Sequence, residues 1–395
     1  MSPFFLNDVK RHLLLLLLVA VVAVGCDTAD SDTVDPVVEV PTLAILFSSP
    51  TQAEIDAVRA DLLARTTDGS YAVRNVNVED QQTLSDGSTV FVVSHTMADT
   101  DGTDFTNFAA IRVPQGAANL PVLIINHGGD QGFSLDTELA LLLGGFPSIA
   151  ASTVQAWPVF RSETIRDAFG QTYTAGGAPS PWDRDVDDAI TLMNAVLDTF
   201  PDETDAERLG TLGYSRGGAV SLLMAQRGVG IDAVTDYFGP TDFFDETIQL
   251  LALGALVGDE GALSLPGAIF LRDELLQPYL SGDLAEADAR AEVVKRSSSL
   301  YTAFLPNTQV LHHRRDVVVP FDQAVAFDEA AQTAPPMGTY EYLPYGEAPM
   351  SDADLGVEFH SPFVMGEGGV EGFSRVAQFH ARFLLAGATA AAPAF

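Results

Sequence analysis

A serine in a glycine-rich turn is the first feature of this chain whose surroundings indicate chemistry. Ser215 lies in the stretch Gly213-Tyr214-Ser215-Arg216-Gly217, between an apolar run that predicts a strand and a run that predicts a helix. A G-x-S-x-G sequence in that position forces the serine into a strained turn and exposes its hydroxyl at the start of the helix. Glycine is needed on both sides because side chains there would collide across the turn. Ser215 is therefore the predicted nucleophile; the alternative is a turn with a capping serine.

The predicted base is a histidine that follows the serine. A serine hydroxyl is a poor nucleophile at neutral pH, so it needs a base, and the base needs a carboxylate to orient it. Along chains with such a turn, the expected order is serine, acid and histidine. Four histidines follow the serine: His312, His313, His360 and His380. His360 lies in the loop before the last predicted helix and is the predicted base, whereas His380 lies inside that helix at apolar spacing, which indicates packing.

The predicted acid is Asp316, which follows a predicted strand directly. His312 and His313 precede this aspartate and therefore do not fit the expected order. Adjacent side chains on an extended segment point to opposite faces, so the two histidines do not predict a metal site either. Asp352 and Asp354, in the loop that carries the predicted base, are the competing acids.

A second glycine-rich turn is predicted to bind the oxyanion of the reaction. Gly128 and Gly129 directly follow a predicted strand at 121–126, where glycines allow backbone N–H groups to turn inward. The other predicted donor is the backbone N–H of Arg216, the residue after the nucleophile. A tight turn without a role in chemistry is the alternative interpretation of the two glycines.

The elements that must position these residues alternate between strands and helices after residue 120. We predict strands at 121–126, 150–158, 209–212, 233–238, 308–312 and 339–343, and helices at 217–227 and 372–385, with a further helix that begins at Ser180-Pro181. Such alternation predicts a mostly parallel sheet with helices on both faces. Before it, a helix at 51–64 and strands at 71–79, 89–95 and 108–113 predict an antiparallel edge. Residues 241 to about 303 contain helical patterns only and are interpreted as a helical cap above the strand ends.

The motifs together resemble the prolyl oligopeptidase-like serine hydrolases, which include dienelactone hydrolase-like esterases and acyl-peptide hydrolases. The resemblance covers roughly residues 122–385 and rests on NHGG, GYSRGG, HHRRDVVVP and FHSP, and on Phe160-Arg161-Ser162-Glu163, which is similar to the family's F-R-G-E run. It implies an α/β-hydrolase fold and a Ser215-Asp316-His360 triad without a cofactor or metal. Residues 42–120 are too few for the β-propeller that gates the larger peptidases.

The first part of the chain resembles a targeting sequence. Lys10 and Arg11 precede an apolar run at 13–25. This run is shorter than the ~20 residues that span a bilayer. A basic pair followed by a short apolar run predicts a signal peptide over 1–25. Cys26, the single cysteine, lies where a bacterial lipoprotein signal would be acylated, which predicts an exported, membrane-anchored protein; an ordinary cleavage site is the alternative. An acidic, flexible tether at 26–45 and a hydrolase domain at 46–395 follow.

Charge and composition limit the partners. The formal net charge is −34, with a single lysine, Lys295, after the leader, so nucleic acid is excluded as a partner because phosphate binding needs clustered cations.

The predicted function is hydrolysis of small carboxylic esters through an acyl-enzyme. Cleavage of short peptides is the second hypothesis, and a tethered binding protein that kept the fold without the activity is the third. Haloperoxidase or lyase chemistry on the same site also stays open, because fold and triad do not fix the reaction. Arg161 and Arg166 are interpreted as partners of acids, or else of a substrate carboxylate.

Overall fold

A large twisted sheet forms the centre of the molecule. The computed structural model describes residues 42–99, 101–347, 351–362 and 369–386. Within them, a nine-stranded sheet has the spatial order β1 (Arg74–Thr83), β2 (Thr89–Ala98), β3 (Asp104–Val113), β6 (Val154–Pro158), β4 (Leu120–Asn126), β9 (Thr204–Tyr214), β10 (Ile231–Tyr237), β11 (Asn307–His313) and β12 (Tyr340–Tyr345). The last six of these strands are parallel, and β1 to β3 form an antiparallel edge. The predicted mostly parallel sheet with antiparallel N-terminal strands is confirmed.

Helices cover both faces of the sheet. The α-helices are α1 (Leu43–Leu46), α2 (Gln52–Ala64), α3 (Leu135–Gly145), α4 (Pro147–Ser152), α5 (Arg184–Thr199), α6 (Arg216–Gln226), α7 (Glu246–Leu256), α8 (Glu260–Leu263), α9 (Ala268–Phe270), α10 (Gln277–Ser281), α11 (Glu286–Arg296), α12 (Asp322–Thr333) and α13 (Gly369–Phe383). Leu123 and Ile124 of β4 belong to two different apolar cores, because successive side chains of a strand point to opposite faces. The core that contains Ile124 includes α5, α6 and α12, whereas the core that contains Leu123 includes α3, α4 and α13.

Two local predictions are wrong. The segment 150–158 was expected to be one strand, but its first residues end helix α4 and only Val154–Pro158 is extended. The helix expected from Ser180-Pro181 begins at Arg184, because Trp182 has a φ of 63°, a left-handed conformation that a helix cannot contain. The Trp182 ring packs edge-on against Phe243, so a tertiary contact overrides the local capping signal.

A second, small sheet lies beside the first and was not predicted. Its strands are β5 (Phe133–Ser134), β7 (Thr164–Ala168) and β8 (Gln171–Thr174), in that order. These strands are too short to give an alternating apolar pattern, so sequence periodicity carries little signal for them. The sheet supports the loop between β4 and α3, which carries the predicted oxyanion glycines.

Helices alone occupy the segment that was interpreted as a cap. Between β10 and β11 lie α7 to α11, a π-helical turn at Leu271–Leu276 and a 3₁₀ helix at Ser298–Phe304. Because β10 and β11 are parallel neighbours, the insertion begins at the carboxyl edge of the sheet, beside the predicted nucleophile.

Arg290 of helix α11 binds the first described segment of the chain to these helices. Its Nη1 donates to the carbonyl oxygens of Ile45 and Ser48 at 2.6 and 3.1 Å, and its Nε pairs with Glu54 at 2.5 Å. The Tyr279 hydroxyl donates to the carbonyl oxygen of Thr42 at 3.1 Å. The guanidinium therefore binds the carbonyl groups at the end of helix α1 and in the turn that follows it.

The predicted signal peptide at 1–25, Cys26 and most of the predicted tether lie outside the described residues. The first described element is helix α1, whose N-cap is Thr42. Among the helices of this part, none combines the length and the apolar character required to cross a bilayer.

We expect Arg290→Ala to lower the free energy of unfolding by about 1–3 kcal/mol, because it removes a partly buried donor that the carbonyl oxygens of Leu46 and Ser48 share with the Glu54 carboxylate. Urea denaturation measures the loss, and limited proteolysis near residues 42–51 should become faster. Arg272→Ala is the matched control: Arg272 pairs with its exposed neighbour Asp273 at 2.6 Å, and loss of an exposed pair should change little. Equal effects of the two substitutions would contradict the role of Arg290.

Candidate active site

Ser215 lies at the strained turn that the motif predicts. Its φ is 55° and its ψ is −128°, between the end of β9 and the start of α6. A Cβ atom at Gly213 would lie 2.0 Å from the Gly217 carbonyl oxygen, and one at Gly217 would lie 2.0 Å from the Asn126 carbonyl oxygen. The Ser215 N–H donates to the Tyr237 carbonyl oxygen at 2.9 Å, which ties the turn to β10. The expected requirement for both glycines is confirmed, and the turn directs the hydroxyl to the carboxyl edge of the sheet.

Three polar side chains that are distant in sequence meet at this edge. The Ser215 hydroxyl lies 2.8 Å from His360 Nε2, and His360 Nδ1 lies 2.7 Å from Asp316 Oδ2. With Nδ1–H donating to the carboxylate, Nε2 is free to accept the serine proton. The Asp316 side chain is fully buried and the His360 side chain is 13% exposed. The structure thus brings all three predicted residues into one hydrogen-bonded chain.

Backbone groups hold the Asp316 carboxylate in place. Its Oδ1 accepts from the N–H groups of Val318 and Val319 at 2.8 and 3.2 Å. The buried His312 donates through Nε2 to the Val319 carbonyl oxygen at 2.8 Å, and burial lowers the pKa of His312 to about 4. His312 therefore stays neutral and fixes the loop of the acid, a supporting role that sequence order alone did not reveal.

The loop of His360 is attached to the loop of the acid. Gly356 pairs with Asp316 in an isolated bridge, and its N–H donates to the Arg315 carbonyl oxygen at 3.1 Å. The His360 ring packs against Phe238 at a centroid distance of 4.6 Å. His360 Nδ1 pairs with Asp316 and not with the competing acid Asp354, and the side chain of Asp352, the other competing acid, lies outside the described part of the structure.

The remaining histidines after Ser215 have other partners. His313 stacks on Phe359 at 4.4 Å and accepts the Arg315 N–H at 3.0 Å. His380 is fully buried and lies 3.0 Å from the Thr235 hydroxyl, and burial lowers its pKa to about 4. The expectation that His380 packs in the core is confirmed. Within the described ranges, no group of three or more metal-binding side chains is arranged around a common point.

The predicted oxyanion residues flank the serine. A Cβ atom at Gly128 would lie 3.0 Å from the Ser215 Cβ atom, so the backbone of that loop passes close to the nucleophilic turn. Gly129 has a φ of 79°, which reverses the chain there. His127 Nδ1 donates to the Gly128 carbonyl oxygen at 2.9 Å, and its ring packs on Phe160 at 4.4 Å. The assignment of Gly128, Gly129 and Arg216 as oxyanion donors stays a prediction.

An apolar cavity of about 80 Å³ opens beside the serine. Its walls come from the body and from the helices between β10 and β11. They include Trp182, Phe243, Ile248, Leu251, Ala255, Leu265, Leu271, Val318 and Val319. Ile248, Leu251 and Leu271 belong to this lining, whereas Leu250, Ile269 and Phe270 of the same helical segment lie outside it, and Ile269 is 54% exposed.

Arg161 and Arg166 are occupied by protein groups. The buried Arg161 pairs with Asp188 at 2.8 Å and with Asp99 at 3.4 Å, and Arg166 donates to the Gln131 carbonyl oxygen at 2.6 Å. For Arg161, the interpretation as a partner of acids is confirmed. Glu163 lies in the same segment as Arg161, and the sequence analysis did not predict that it lies next to the site. The F-R-G-E-like run at 160–163 was the sequence feature that could have indicated it.

Glu138 of helix α3 is a buried carboxyl group behind the turn. Its Oε1 accepts from the hydroxyl of Tyr214, the residue before the nucleophile. Burial, only partly offset by the Tyr214 hydroxyl and the Trp157 indole, raises the pKa of Glu138 from 4.5 to about 7. The folded state therefore prefers the protonated carboxyl group.

Comparisons with solved structures show the fold. An acetyl xylan esterase from Paenibacillus sp. R4 matches with a TM-score of 0.52 and 16% identity over 86% of this chain and 99% of its own. The rice cell wall degrading esterase LipA from Xanthomonas oryzae, in a ligand-bound form, matches with a TM-score of 0.51 and 14% identity over 80% of this chain and 99% of its own. An acylaminoacyl peptidase from Pyrococcus horikoshii gives a TM-score of 0.48 over 75% of this chain and 48% of its own, which is too low to support an argument.

These likenesses define the class of fold. No protein-family model and no curated protein sequence matches the chain significantly. At identities of 14% and 16%, the first two structural matches bear on the architecture and not on the activity. The chain has the α/β-hydrolase fold, and the prediction of this fold from the sequence is confirmed.

We expect Glu138→Gln to stabilise the protein at neutral and alkaline pH but not in acid. Because the folded-state pKa is raised, the contribution of this group is present below about pH 4.5 and is lost as pH rises through about 7. The uncharged amide avoids that loss, so the gain should be near zero at pH 4 and about 1–3 kcal/mol at pH 8. Urea denaturation at both pH values measures it. The exposed Glu329→Gln is the control, and an equal gain at both pH values would contradict the burial effect.

Proposed function

We propose that the chain is a serine hydrolase that cleaves carboxylic esters through an acyl-enzyme. The observation that carries the proposal is the hydrogen-bonded chain from Asp316 through His360 to Ser215, with distances of 2.7 and 2.8 Å. The strained turn at Ser215 and the α/β-hydrolase fold support the same conclusion. Within that fold, the motifs favour the prolyl oligopeptidase-like and dienelactone hydrolase-like enzymes.

The proposed mechanism uses the three side chains in sequence. His360 Nε2 accepts the proton from the Ser215 hydroxyl while the oxygen attacks the ester carbonyl carbon. Backbone N–H groups of Arg216 and of the Gly128–Gly129 turn stabilise the negative oxygen of the tetrahedral intermediate. His360 then gives its proton to the departing alkoxide and the acyl group remains on Ser215. A water molecule, deprotonated by His360, releases the acid in the second half of the cycle.

The cavity beside Ser215 favours a short acyl chain. Its volume of about 80 Å³ is several times the ~10–15 Å³ that one water molecule requires. It is far below the ~300–1,000 Å³ of pockets that hold drug-sized ligands. The walls are apolar on nearly all sides, so the cavity suits a small aliphatic acyl group. We therefore propose esters of short carboxylic acids as the substrate class.

Two other functions from the sequence analysis are distinguished by experiment. Hydrolysis of short peptides uses the same mechanism, because an amide carbonyl meets the same nucleophile. A binding protein on the same fold would hold a ligand in the cavity without turnover. Relative rates on esters and amides separate the first alternative, and turnover itself separates the second.

The test is a series of nitrophenyl esters with acyl chains from acetyl to decanoyl, with an aminoacyl nitroanilide beside it. We expect the highest kcat/KM for the acetyl to butyryl esters, because longer chains exceed the cavity. Ser215→Ala should lower kcat by about 10⁴-fold or more, as removal of a triad nucleophile does in other serine hydrolases. Faster cleavage of the anilide than of the acetyl ester would favour the peptidase, and absence of turnover on both would favour the binding protein.

Two controls belong to the same series. Ser374→Ala removes an exposed serine of helix α13, and we expect unchanged kinetics. Leu271→Ala shortens a side chain of the wall and so enlarges the cavity. The acyl chain length with the highest kcat/KM should therefore increase, while turnover of the acetyl ester persists. An unchanged chain-length profile in Leu271→Ala would contradict the assignment of this cavity to the acyl group.

We also propose that the protein is exported and anchored to a membrane through a lipid on Cys26. The support is the basic pair at 10–11, the apolar run at 13–25 and the position of the single cysteine directly after it. On bacterial expression, the wild type should fractionate with membranes and incorporate labelled palmitate. Cys26→Ser should remove the label and release the protein from the membrane fraction; persistent membrane association of this variant would contradict the anchor.

A further inference from the structure

The side chain of Arg216 forms an ion pair network behind the nucleophile. Its guanidinium is buried, and the residue is 2% exposed. Nε and Nη2 each donate to Asp185 at 2.7 Å. Nη1 donates to Glu163 at 2.5 Å and to the Gly129 carbonyl oxygen at 3.0 Å. We call Asp185, Arg216 and Glu163 the clamp.

The clamp holds both ends of the loop that passes beside Ser215. Arg216 binds the Gly129 carbonyl oxygen, and Glu163 Oε2 accepts the Gly132 N–H at 2.8 Å. A Cβ atom at Gly132 would lie 1.9 Å from the Thr164 carbonyl oxygen, so this end of the loop lies directly against β7. Peptide planes are rigid, so the bond to the Gly129 carbonyl fixes the peptide plane that follows Gly129, and the two bonds together restrict the path of the turn that carries the predicted donors, the N–H groups of Gly128 and Gly129. We call residues 128–132 the oxyanion loop.

The same clamp reaches the wall of the acyl cavity. Asp185 Oδ2 accepts the backbone N–H of Trp182 at 2.7 Å, besides its bonds to Arg216. Trp182 lines the cavity in the left-handed conformation described above, which a bulky residue rarely adopts unless its surroundings hold it there. One carboxylate therefore connects the residue after the nucleophile with the residue that shapes the cavity.

Stability alone does not account for such a network. A buried ion pair pays a large desolvation penalty, and well-packed apolar residues of similar volume are often at least as stabilising. What charged, forked groups supply is direction: a guanidinium fixes several acceptors in one plane. Here those acceptors are two carboxylates and the carbonyl oxygen of the oxyanion loop.

We propose that the clamp positions the oxyanion loop, with the Arg216 and Glu163 side chains as positioning residues for the hydrolysis. The inference rests on the proposed function, because it assigns a role in stabilising the tetrahedral intermediate. A misplaced donor weakens binding of the transition state and leaves binding of the ground-state ester largely intact. The effect of a broken clamp therefore falls on kcat and not on KM.

The experiment compares Glu163→Ala, Glu163→Gln and the wild type on the acetyl ester. We expect Glu163→Ala to lower kcat about 100-fold with KM changed by less than about threefold, as expected for loss of an oxyanion donor. Glu163→Gln keeps an oxygen that can accept the Gly132 N–H but loses the charge that pairs with Arg216, so its kcat should lie about tenfold above that of Glu163→Ala and about tenfold below that of the wild type. If Glu163→Ala does not fold, a kcat of Glu163→Gln about tenfold below wild type supports the clamp, and a wild-type kcat overturns it.

Asp187→Asn is the matched control. Asp187 is another buried aspartate of helix α5, paired with Arg65 at 3.0 Å and Arg184 at 2.8 Å, away from the oxyanion loop. It should lower the melting temperature and leave kcat within about threefold of wild type. The clamp is overturned if Glu163→Ala keeps kcat within that range, or if Asp187→Asn loses as much kcat as Glu163→Ala.

The two proposals fail in distinguishable ways. If the wild type hydrolyses the ester and Ser215→Ala does not, while the Glu163 variants match wild type, only the clamp is wrong. If the wild type does not hydrolyse the ester, or Ser215→Ala retains the activity, the proposed function is wrong and the clamp falls with it.

Discussion

The hydrogen bond between the Ser215 hydroxyl and the His360 imidazole is the interaction on which the rest of the structure depends. It spans 2.8 Å between residues that are 145 positions apart in the chain. Parallel strands bring it about, because the residues that follow β9, β11 and β12 all emerge at one edge of the sheet. The strained φ of 55° at Ser215 persists because two glycines and a bond to β10 leave the turn no relaxed alternative.

Buried charges organise the surroundings of that bond. The protein has a net charge of −34 and only 20 lysines and arginines. Several of the arginines are nevertheless buried, where they pair with carboxylates of helix α5 or of the loops beside it. A buried guanidinium with two carboxylates has few satisfactory geometries, so these pairs favour one arrangement of loops over many. The excess of acidic residues therefore favours solubility, whereas the buried ion pairs determine how the loops are arranged.

Sequence patterns predicted the parallel sheet and the convergence of Ser215, Asp316 and His360 because both follow from strand order and from a motif with a steric requirement. They failed where tertiary contacts decide. Trp182 interrupts a well-signalled helix start because its ring packs against Phe243. The roles of His312 and Glu163 depend on loops that meet only in three dimensions. Short strands such as β5 are invisible to periodicity because they pair across segments with no repeating pattern.

The most direct test of the account is to locate the covalent adduct that a fluorophosphonate forms with the folded protein, by peptide mapping and mass spectrometry, and to compare its rate of formation in His360→Ala. The account predicts a single adduct on Ser215, and a rate at least about 100-fold lower in the variant because the hydroxyl loses its base. An adduct on another residue, or equal labelling of Ser215 in both proteins, would contradict the claim that His360 activates this serine.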